Sequence, residues 1–372
     1  MQKFIKKKTV HPELSVIVPV LNEAAALPVL FRNLSEQMGT SIELIVSDGG
    51  STDGSADLAR RLGNDAIFPV TVTAANCGRG KQLNSGVATS RCSTLLFLHA
   101  DSRLVDPQAL RTALDLLTKA ITLKEHDRIA GHFALRFVRR DPSPSVAFYF
   151  YECKARLNRR ECTHGDQGFM MRRTFFYDTG PFDESLPMLA ETRFAEAVRK
   201  TGEWLLFPAE ILTSARRFES EGFYARQVLN AIIMNFASIG WETFFHELPS
   251  IYVGHHQSGR IALAPLLQAI RRLMASLPLR ERLFLWYATG AYVQSHSWQI
   301  PFFLDTHRKF RRGIPAGGGN SPLLDFHDHY LYRLTDNLPG RLAATTLTWL
   351  WFRLTFIYAS VTKQNSDERA IV

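Results

Sequence analysis

Asp101 closes the apolar run Leu95-Leu-Phe-Leu-His-Ala-Asp101, so a segment suited to burial as a strand ends in a carboxylate. A strand that carries an acid from a sheet to a loop sets a hard oxygen ligand at the sheet edge, where a metal-bound phosphate could sit. The pattern recurs in Val46-Ser-Asp48-Gly49-Gly-Ser-Thr-Asp53, where glycines after the acid let backbone approach a ligand closely. Asp48 could accept a hydrogen bond from a nucleobase N–H or a ribose hydroxyl. Pro19-Val-Leu-Asn22-Glu23 brings a third acidic or amide group toward the same edge. A single Asp-Gly turn means little, but strand ends carrying Glu23, Asp48 and Asp101 exceed what turn propensity requires.

Asn76-Cys-Gly78-Arg79-Gly80-Lys81-Gln82-Leu-Asn84 supplies cations and glycines on a loop entering a helix. Its backbone N–H groups and the side chains of Arg79 and Lys81 could hold a diphosphate. It is not a P-loop: Ala75 occupies the position of the upstream glycine and Gln82 replaces the Ser/Thr. No G-x-G-x-x-G follows the first apolar run, which argues against a dinucleotide oxidoreductase.

The elements that must position these groups follow from periodicity. Short β-branched or Leu-rich runs at 14–20, 42–47, 66–73 and 94–99 alternate with helix-compatible stretches at 24–37 and 55–62, the pattern of a parallel sheet with crossover helices. Ser51-Thr-Asp53 can cap the second of those helices. Further on, strands are expected at 129–138 and 168–172 and helices at 145–159 and 191–200. Beyond Gly240 the character changes: residues 241–372 hold 14 Lys/Arg against 9 Asp/Glu and seven of the twelve histidines, with long helical stretches at 261–277, 281–298 and 342–362. The stretch 313–322, rich in glycine, reads as a flexible connector.

Composition narrows the partners. The 372 residues, 46% of them hydrophobic, suffice for one large domain or two of ordinary size. A formal charge of +9 favours anionic partners, namely phosphorylated metabolites, acidic lipid headgroups or nucleic acid. Nucleic acid is the weakest of these, because the Lys/Arg residues are scattered and no recognised binding signature occurs. Four cysteines without C-x-x-C spacing indicate neither a zinc site nor a disulfide framework, and they suit a reducing compartment. Lys3, Lys6, Lys7 and Lys8 are followed by too short an apolar run to read as a signal peptide. His255-His256 and His327-Asp-His329 are weak metal patterns without a third ligand at ordered spacing.

Four segments together carry a family resemblance. Leu14-Ser-Val-Ile-Val-Pro-Val-Leu-Asn-Glu23, Ser47-Asp-Gly-Gly-Ser-Thr-Asp53, Gly78-Arg-Gly-Lys-Gln-Leu-Asn84 and Leu98-His-Ala-Asp-Ser102 resemble the nucleotide-sugar half of family 2 glycosyltransferases, which have the GT-A fold. Gly165-Asp-Gln-Gly-Phe-Met-Met-Arg-Arg173 and Thr213-Ser-Ala-Arg-Arg-Phe-Glu219 resemble a subgroup associated with radical-SAM or selenium-domain proteins and with arsenosugar biosynthesis. The likeness runs from about Leu14 to Phe245, and the C-terminal extension resembles no named family.

The resemblance implies a GT-A nucleotide-diphosphosugar transferase domain over residues 1–245, with a mostly parallel central sheet and flanking helices; with the helical stretches read beyond Gly240, the expected chain is α/β followed by a mainly helical region over 246–372. Asp48 would contact the donor nucleobase, and Glu23 and Asp53 would support the nucleotide pocket. Pro19, Asn22, Gly49, Gly78, Arg79, Lys81 and Ala100 would line it. Asp101 would bind a divalent cation, Mg²⁺ or Mn²⁺, that bridges the donor diphosphate. His99 stands where the family commonly has the first Asp of Asp-x-Asp, which leaves Asp101 as the one secure ligand.

Transfer with inversion needs one general base for the acceptor hydroxyl. The family takes it from a Glu-Asp pair at a helix start; here Leu189-Ala-Glu191-Thr-Arg-Phe-Ala-Glu196 offers Glu191, with Ala190 at the expected Glu and Glu196 in reserve. A helix-stabilising acid in the first turn is the plain alternative for Glu191. Arg216 and Arg217 would bind the donor diphosphate or an anionic acceptor, or else form a solvated pair.

Residues 342–362 have the length of a membrane span but carry Arg353 at mid-segment, at a cost of roughly 2.5 to 3.5 kcal/mol. Thr345, Thr348, Thr355 and Thr362 form a polar stripe at helical spacing. That favours a helix lying on a membrane or packed against the protein, beside the basic run Arg308-Lys-Phe-Arg-Arg312.

The expected function is therefore a cytoplasmic glycosyltransferase, on the cytoplasmic face of a membrane if the C-terminal region touches one. It would move a sugar from a nucleotide-diphosphate donor to an unidentified hydroxyl acceptor, a lipid-linked one among the options. A catalytically impaired nucleotide-sugar-binding protein is the alternative. A nucleotidyltransferase should show a Gly-rich basic loop after the first strand, where this chain has Asn22-Glu-Ala-Ala-Ala-Leu.

Overall fold

The computed structural model describes residues 11–185, 188–253 and 259–369. His255-His256 and the four N-terminal lysines lie outside the described residues. The chain forms two compact units, one of residues up to Val138 with Ala147–Ser214, the other of Arg139–Val146 with the residues from Ala215 onward.

The first unit is built on eight strands: β1 (Leu14–Val20), β2 (Ile42–Asp48), β3 (Val70–Ala74), β4 (Thr94–Phe97), β5 (Arg103–Leu104), β6 (Ile129–Val138), β7 (Phe169–Arg172) and β8 (Glu203–Ser214). They form one sheet in the order β3-β2-β1-β4-β7-β6-β8-β5. β3, β2, β1 and β4 run parallel, β7 is antiparallel to both neighbours, and β8 is parallel to β6 and antiparallel to β5. Every residue of β1, β2 and β4 is buried. Their continuous apolar runs reflect a sheet covered on both faces.

Side chains alternate between those faces. On one, Val16, Val18, Leu44, Val46 and Leu96 pack with α1 (Leu27–Ser35), α2 (Ser55–Asp65) and α4 (Ala109–Lys124). On the other, Ile17, Ile45, Leu95 and Phe97 pack with α3 (Arg79–Thr89), α6 (Arg173–Thr179) and α7 (Ala190–Thr201). Gly86 brings α3 onto β1, since a Cβ there would lie 2.3 Å from Ile17 Cγ2.

After β3 the chain crosses to the far side of β1 to enter β4, so the strand order reverses between β1 and β4. In an open α/β sheet the crevice at such a reversal, outside the carboxyl ends of the strands, is where a ligand can enter. Those ends carry Asn22-Glu23 and His99-Ala-Asp101.

The run that becomes β8 escapes a periodicity reading because Pro208 interrupts it. The structure accommodates the interruption with an irregularity: Phe133 pairs Phe207 but Ala134 pairs Glu210, which leaves Pro208 and Ala209 outside the ladder.

The second unit holds α8 (Arg216–Glu221), α9 (Phe223–Ile239), α10 (Glu242–Val253), α11 (Leu263–Ala275), α12 (Leu279–Ser295), α13 (Gln299–Arg311), α14 (Pro322–Phe326), α15 (Tyr332–Thr335) and α16 (Leu338–Arg369). α5 (Val146–Lys154) lies at the junction of the two segments that enter different units. The glycine-rich connector after α13 is tied down: Lys309 Nζ donates to Gly319 O at 3.1 Å and to Ser321 Oγ at 2.9 Å. Buried Asp305 accepts from the Leu323 and Leu324 amides at 2.9 Å each, satisfying orphan donors of α14. Among the described residues, no helix is long and apolar enough to cross a membrane.

Candidate active site

The loops after β1 and β2 are laced together. Asn22 adopts a left-handed backbone (φ 58°), a conformation asparagine tolerates better than most residues. Its amide donates to Ser51 Oγ at 2.9 Å and its side-chain oxygen accepts from the Thr52 amide at 2.8 Å. The Glu23 amide donates to Ser55 Oγ at 2.9 Å, and the Ala24 amide to Asp53 Oδ2 at 3.0 Å. Hydrogen bonds from Ser55 and from the Ala24 amide hold the Asp53 carboxyl below its ordinary range. Asp53 thus closes the loop that carries Glu23.

Asp48 is 8% exposed, and its Oδ2 accepts from the amides of Gly50 and Ser51 at 3.1 Å each. Its Oδ1 is buried with no hydrogen-bond partner. An oriented carboxylate oxygen left over in this way is a costly feature for a fold to keep and a suitable acceptor for an imide or amino N–H. Gln82, seen in the sequence only as a departure from a P-loop, clamps the same edge: its Nε2 donates to Val20 O at 2.7 Å and to Ser47 O at 3.0 Å. The amide packs so tightly that a Cβ at Gly49 would lie 2.8 Å from it. Pro19 is buried in β1, paired with Ser47.

Gly78, at φ 137°, turns the chain into α3, and Arg79 and Lys81 occupy the first helical turn. Exposed amides and a positive dipole end therefore sit with two cations. Gly80 is required by close approach, since a Cβ would lie 2.6 Å from Asp183 O.

Beyond β4, the Leu98 amide still donates to Ile17 O at 3.0 Å, and a turn from His99 O to the Ser102 amide at 3.1 Å presents His99 and Asp101. Ala100 is buried, whereas His99 and Asp101 are partly exposed. His99 Nε2 lies 2.7 Å from Glu191 Oε1, and Arg79 Nε lies 3.6 Å from Glu191 Oε2. Glu191 stands in the first turn of α7, after Leu189 at φ 69°. A Cβ at Gly165 would lie 2.1 Å from Glu191 Oε1, so that glycine makes room for the carboxylate. Burial alone would raise the Glu191 carboxyl, but the charges of His99 and Arg79 and the His99 hydrogen bond hold it at about 2.

Two further groups escaped assignment from the sequence. Asp166 and His164 flank Gly165 in a turn held by Gln167, whose Oε1 accepts from the His164 amide at 2.8 Å and whose Nε2 donates to Ala155 O at 2.7 Å. Burial, with Glu191 and Asp101 adding repulsion against the pull of His164 and His99, raises the Asp166 carboxyl; burial lowers His164. Asp166 Oδ1 is buried without a hydrogen-bond partner. The signal in the sequence was Gly165-Asp-Gln, where a glycine precedes an acid and an amide in a loop.

Pro19, Asn22, Glu23, Asp48, Gly49 and Asp53 thus lie on the β1 and β2 ends, Gly78, Arg79 and Lys81 on the neighbouring helix start, and Ala100, Asp101 and Glu191 with the β4 end. Arg216 and Arg217 open α8, in the second unit. Glu196, one turn beyond Glu191, accepts from the Glu161 amide at 2.9 Å and lies 3.9 Å from Arg199. His327 is buried, with Nε2 3.0 Å from Ser297 Oγ.

The residues present fit a divalent cation only in part. Among the described residues, no group of three or more His, Cys, Asp or Glu side chains could hold a metal by itself. Asp101 gives one hard oxygen, and the field it shares with the orphaned Asp166 oxygen is one that a cation would relieve. The remaining ligands of Mg²⁺ or Mn²⁺ would have to come from phosphate oxygens and water, as suits these ions.

Residues 15–180 match the family model described as Glycosyl transferase family 2. The sheet reversal and most of the strand-end groups above lie within that matched segment, and the fold is that of a GT-A glycosyltransferase enzyme. A PGL/p-HBAD biosynthesis glycosyltransferase of Mycobacterium tuberculosis is 29% identical over 193 residues, 49% of this chain and 68% of the relative. An undecaprenyl-phosphate 4-deoxy-4-formamido-L-arabinose transferase of Pseudomonas aeruginosa is 29% identical over 213 residues, 51% of this chain and 59% of the relative. Among solved structures, the mannosyltransferase PcManGT from Pyrobaculum calidifontis, in complex with GDP-Man and Mn²⁺, aligns with a TM-score of 0.46 at 17% identity, covering 92% of this chain and 88% of that one. S. aureus TarS 1-349 in complex with UDP aligns at 0.45 and 15%, covering 85% and 91%. Scores at this level add nothing to the fold assignment, which rests on the sheet order and the family match.

Proposed function

We propose that this chain transfers a sugar from a nucleoside-diphosphate donor to an acceptor hydroxyl with inversion at the sugar carbon. The observation that carries the reading is Glu191, held by His99 at 2.7 Å and Arg79 at 3.6 Å, at the same strand end as Asp101. The Asp48 carboxylate accepts from the donor base, and the Glu23–Asp53 loop shapes the pocket around it. The α3 amides with Arg79 and Lys81 take the diphosphate; Arg216 and Arg217 bind a diphosphate or an anionic acceptor. Asp101 would hold Mg²⁺ or Mn²⁺, which when bound neutralises charge on the departing nucleoside diphosphate.

Glu191 is a weak base while Arg79 and His99 both stabilise its anion. When Arg79 turns to a donor diphosphate, Glu191 Oε2 is released and its basicity rises, while His99 keeps Oε1 oriented. The base is thereby strengthened only when a donor is present. Oε2 then takes the acceptor proton.

Residues 1–245 supply the donor chemistry and 246–372 select the acceptor. The name of the Pseudomonas relative supports a lipid-linked acceptor, and the Gly165–Arg173 and Thr213–Glu219 segments support the radical-SAM-associated, arsenosugar-type subgroup. Four cysteines that form no disulfide suit a cytoplasmic setting.

The test is nucleoside-diphosphate release from UDP-, GDP- and dTDP-sugars with Mn²⁺, with the anomeric configuration of the product read by NMR. Inverted product from one donor class, lost in Glu191→Gln with donor binding retained, is expected. Binding of a donor with no turnover toward any acceptor would favour the sugar-binding alternative, and retained configuration would overturn the role of Glu191.

A further inference from the structure

Helix α16 turns a large apolar face to the outside. In a water-soluble domain a helix turns large apolar side chains inward and polar ones outward. Over residues 338–360 the inward face mixes Phe352, packed against Trp286, with threonines, while a second apolar set is turned outward. Thr355 is buried and Thr345 and Thr348 are half-buried, whereas Leu347, Leu350, Leu354, Ile357 and Tyr358 are exposed, Leu347 and Leu354 at 66%. The spacing of the exposed set puts it on one helical face.

The inward stripe is chemically consistent. Thr345 Oγ1 donates to Arg341 O at 2.8 Å and Thr348 Oγ1 to Ala344 O at 2.7 Å, so these hydroxyls are satisfied within their own helix. Gly290 of α12 meets this face so closely that a Cβ would lie 2.5 Å from Thr345 Cα. Small residues drawing two backbones together while bulky apolar groups face outward is the packing expected where the surroundings are lipid.

Charge selects the kind of lipid. Residues 338–360 contain no acid and two arginines, of which Arg341 pairs with Asp336 at 2.8 Å and Arg353 is exposed, and residues 261–360 hold eleven Lys/Arg against five Asp/Glu. The Arg353 guanidinium lies over the exposed Trp349 ring at 5.3 Å. An arginine laid along a tryptophan, its head free to reach phosphates while its stem follows apolar surface, suits a headgroup boundary.

We propose that the outward face of α16 seats on an anionic lipid bilayer, lying in the interface without crossing it. A second copy of the chain is a poorer occupant, because a two-fold contact through this face would bring the exposed Arg353 of both copies together with no acid on the helix segment 338–360 to offset them. The proposal concerns a surface of the second unit and stands whether or not the transfer reading holds.

Flotation of the full chain with vesicles of phosphatidylcholine alone, and of phosphatidylcholine mixed with phosphatidylglycerol, tests it. Recovery with the anionic vesicles is expected to exceed that with neutral ones by about tenfold, as a few arginines near a charged surface would provide. The combined variant Leu350→Glu, Leu354→Glu, Ile357→Glu should lose flotation with an unchanged thermal midpoint. If that variant melts early, Leu347→Ser replaces it, because that side chain is 66% exposed. Protein left in the soluble fraction with both vesicles, or recovered equally with both, overturns the proposal. So does a dimer by light scattering that the same substitutions convert to monomer, since the face would then be a self-interface.

Discussion

The two units treat polarity in opposite ways. In the first, apolar side chains are withdrawn into two layers around the sheet, and polar groups without a complete set of hydrogen-bond partners gather where strands end: Asp48 beside Gln82, and Asp166 near Glu191 and His99. In the second, α16 buries threonines against a glycine and leaves leucines outside. A buried charge is tolerated where a ligand can complete it, and an exposed leucine face where another phase can cover it. Each departure from ordinary burial therefore points to what the region meets.

The largest effect that would break this contrast is at Glu191. Glu191→Gln should lower kcat by about 10² to 10⁴-fold with donor KM nearly unchanged, as measured by nucleoside-diphosphate release. If Glu191 only stabilises the start of α7, the loss will appear in the melting curve instead. Asp101→Asn should abolish the metal dependence of turnover, read by titrating Mn²⁺ against rate. Equal Mn²⁺ dependence in the variant would remove Asp101 from the cation site.

A third substitution sharpens the other side. Gly290→Val forces a side chain against the Thr345 backbone and should cost about 1–3 kcal/mol in denaturant unfolding while leaving nucleotide affinity unchanged. A neutral outcome would mean that the α12–α16 contact is loose.

The smallest effect separates a structural acid from the site acids. Glu43 is buried at 2% exposure and accepts from Ser15 Oγ at 2.7 Å and from the Arg91 amide at 2.6 Å. Burial opposes its ionisation, but the Arg91 amide, Ser15 and the Arg91 side chain outweigh it, so its carboxyl lies below the ordinary 4.5. Its contribution is complete above that value and is lost as pH falls toward the folded-state value. Glu43→Gln should cost about 1–2 kcal/mol at neutral pH, and the gap from the natural protein should close in acid. A gap that widens in acid would contradict this sign.

Continuous burial made β1, β2 and β4 readable, because a strand covered on both faces writes an unbroken apolar run into the chain. Ile129–Val138 was expected as a strand and is one. β8 was hidden, because Pro208 breaks a run that only the bulge opposite Phe133 and Ala134 accommodates. At the site, Asp48 and Asp101 were legible as carboxylates ending strands. Asp166 was not, because nothing local reveals that a loop acid will be buried near Glu191 and Asp101 from distant segments.

Local order thus determined which residues could serve chemistry: acids where apolar runs stop, cations and glycines at a helix start, and a threonine stripe along α16. Tertiary structure decided their partners. The reversal of strand order between β1 and β4 sets the chemistry at one crevice, and α7 sets Glu191 against His99 and Arg79. The contact at Gly290 decides that the threonines of α16 face in and its leucines face out. Periodicity defines a helical face, but only the neighbouring helix fixes which face is inside.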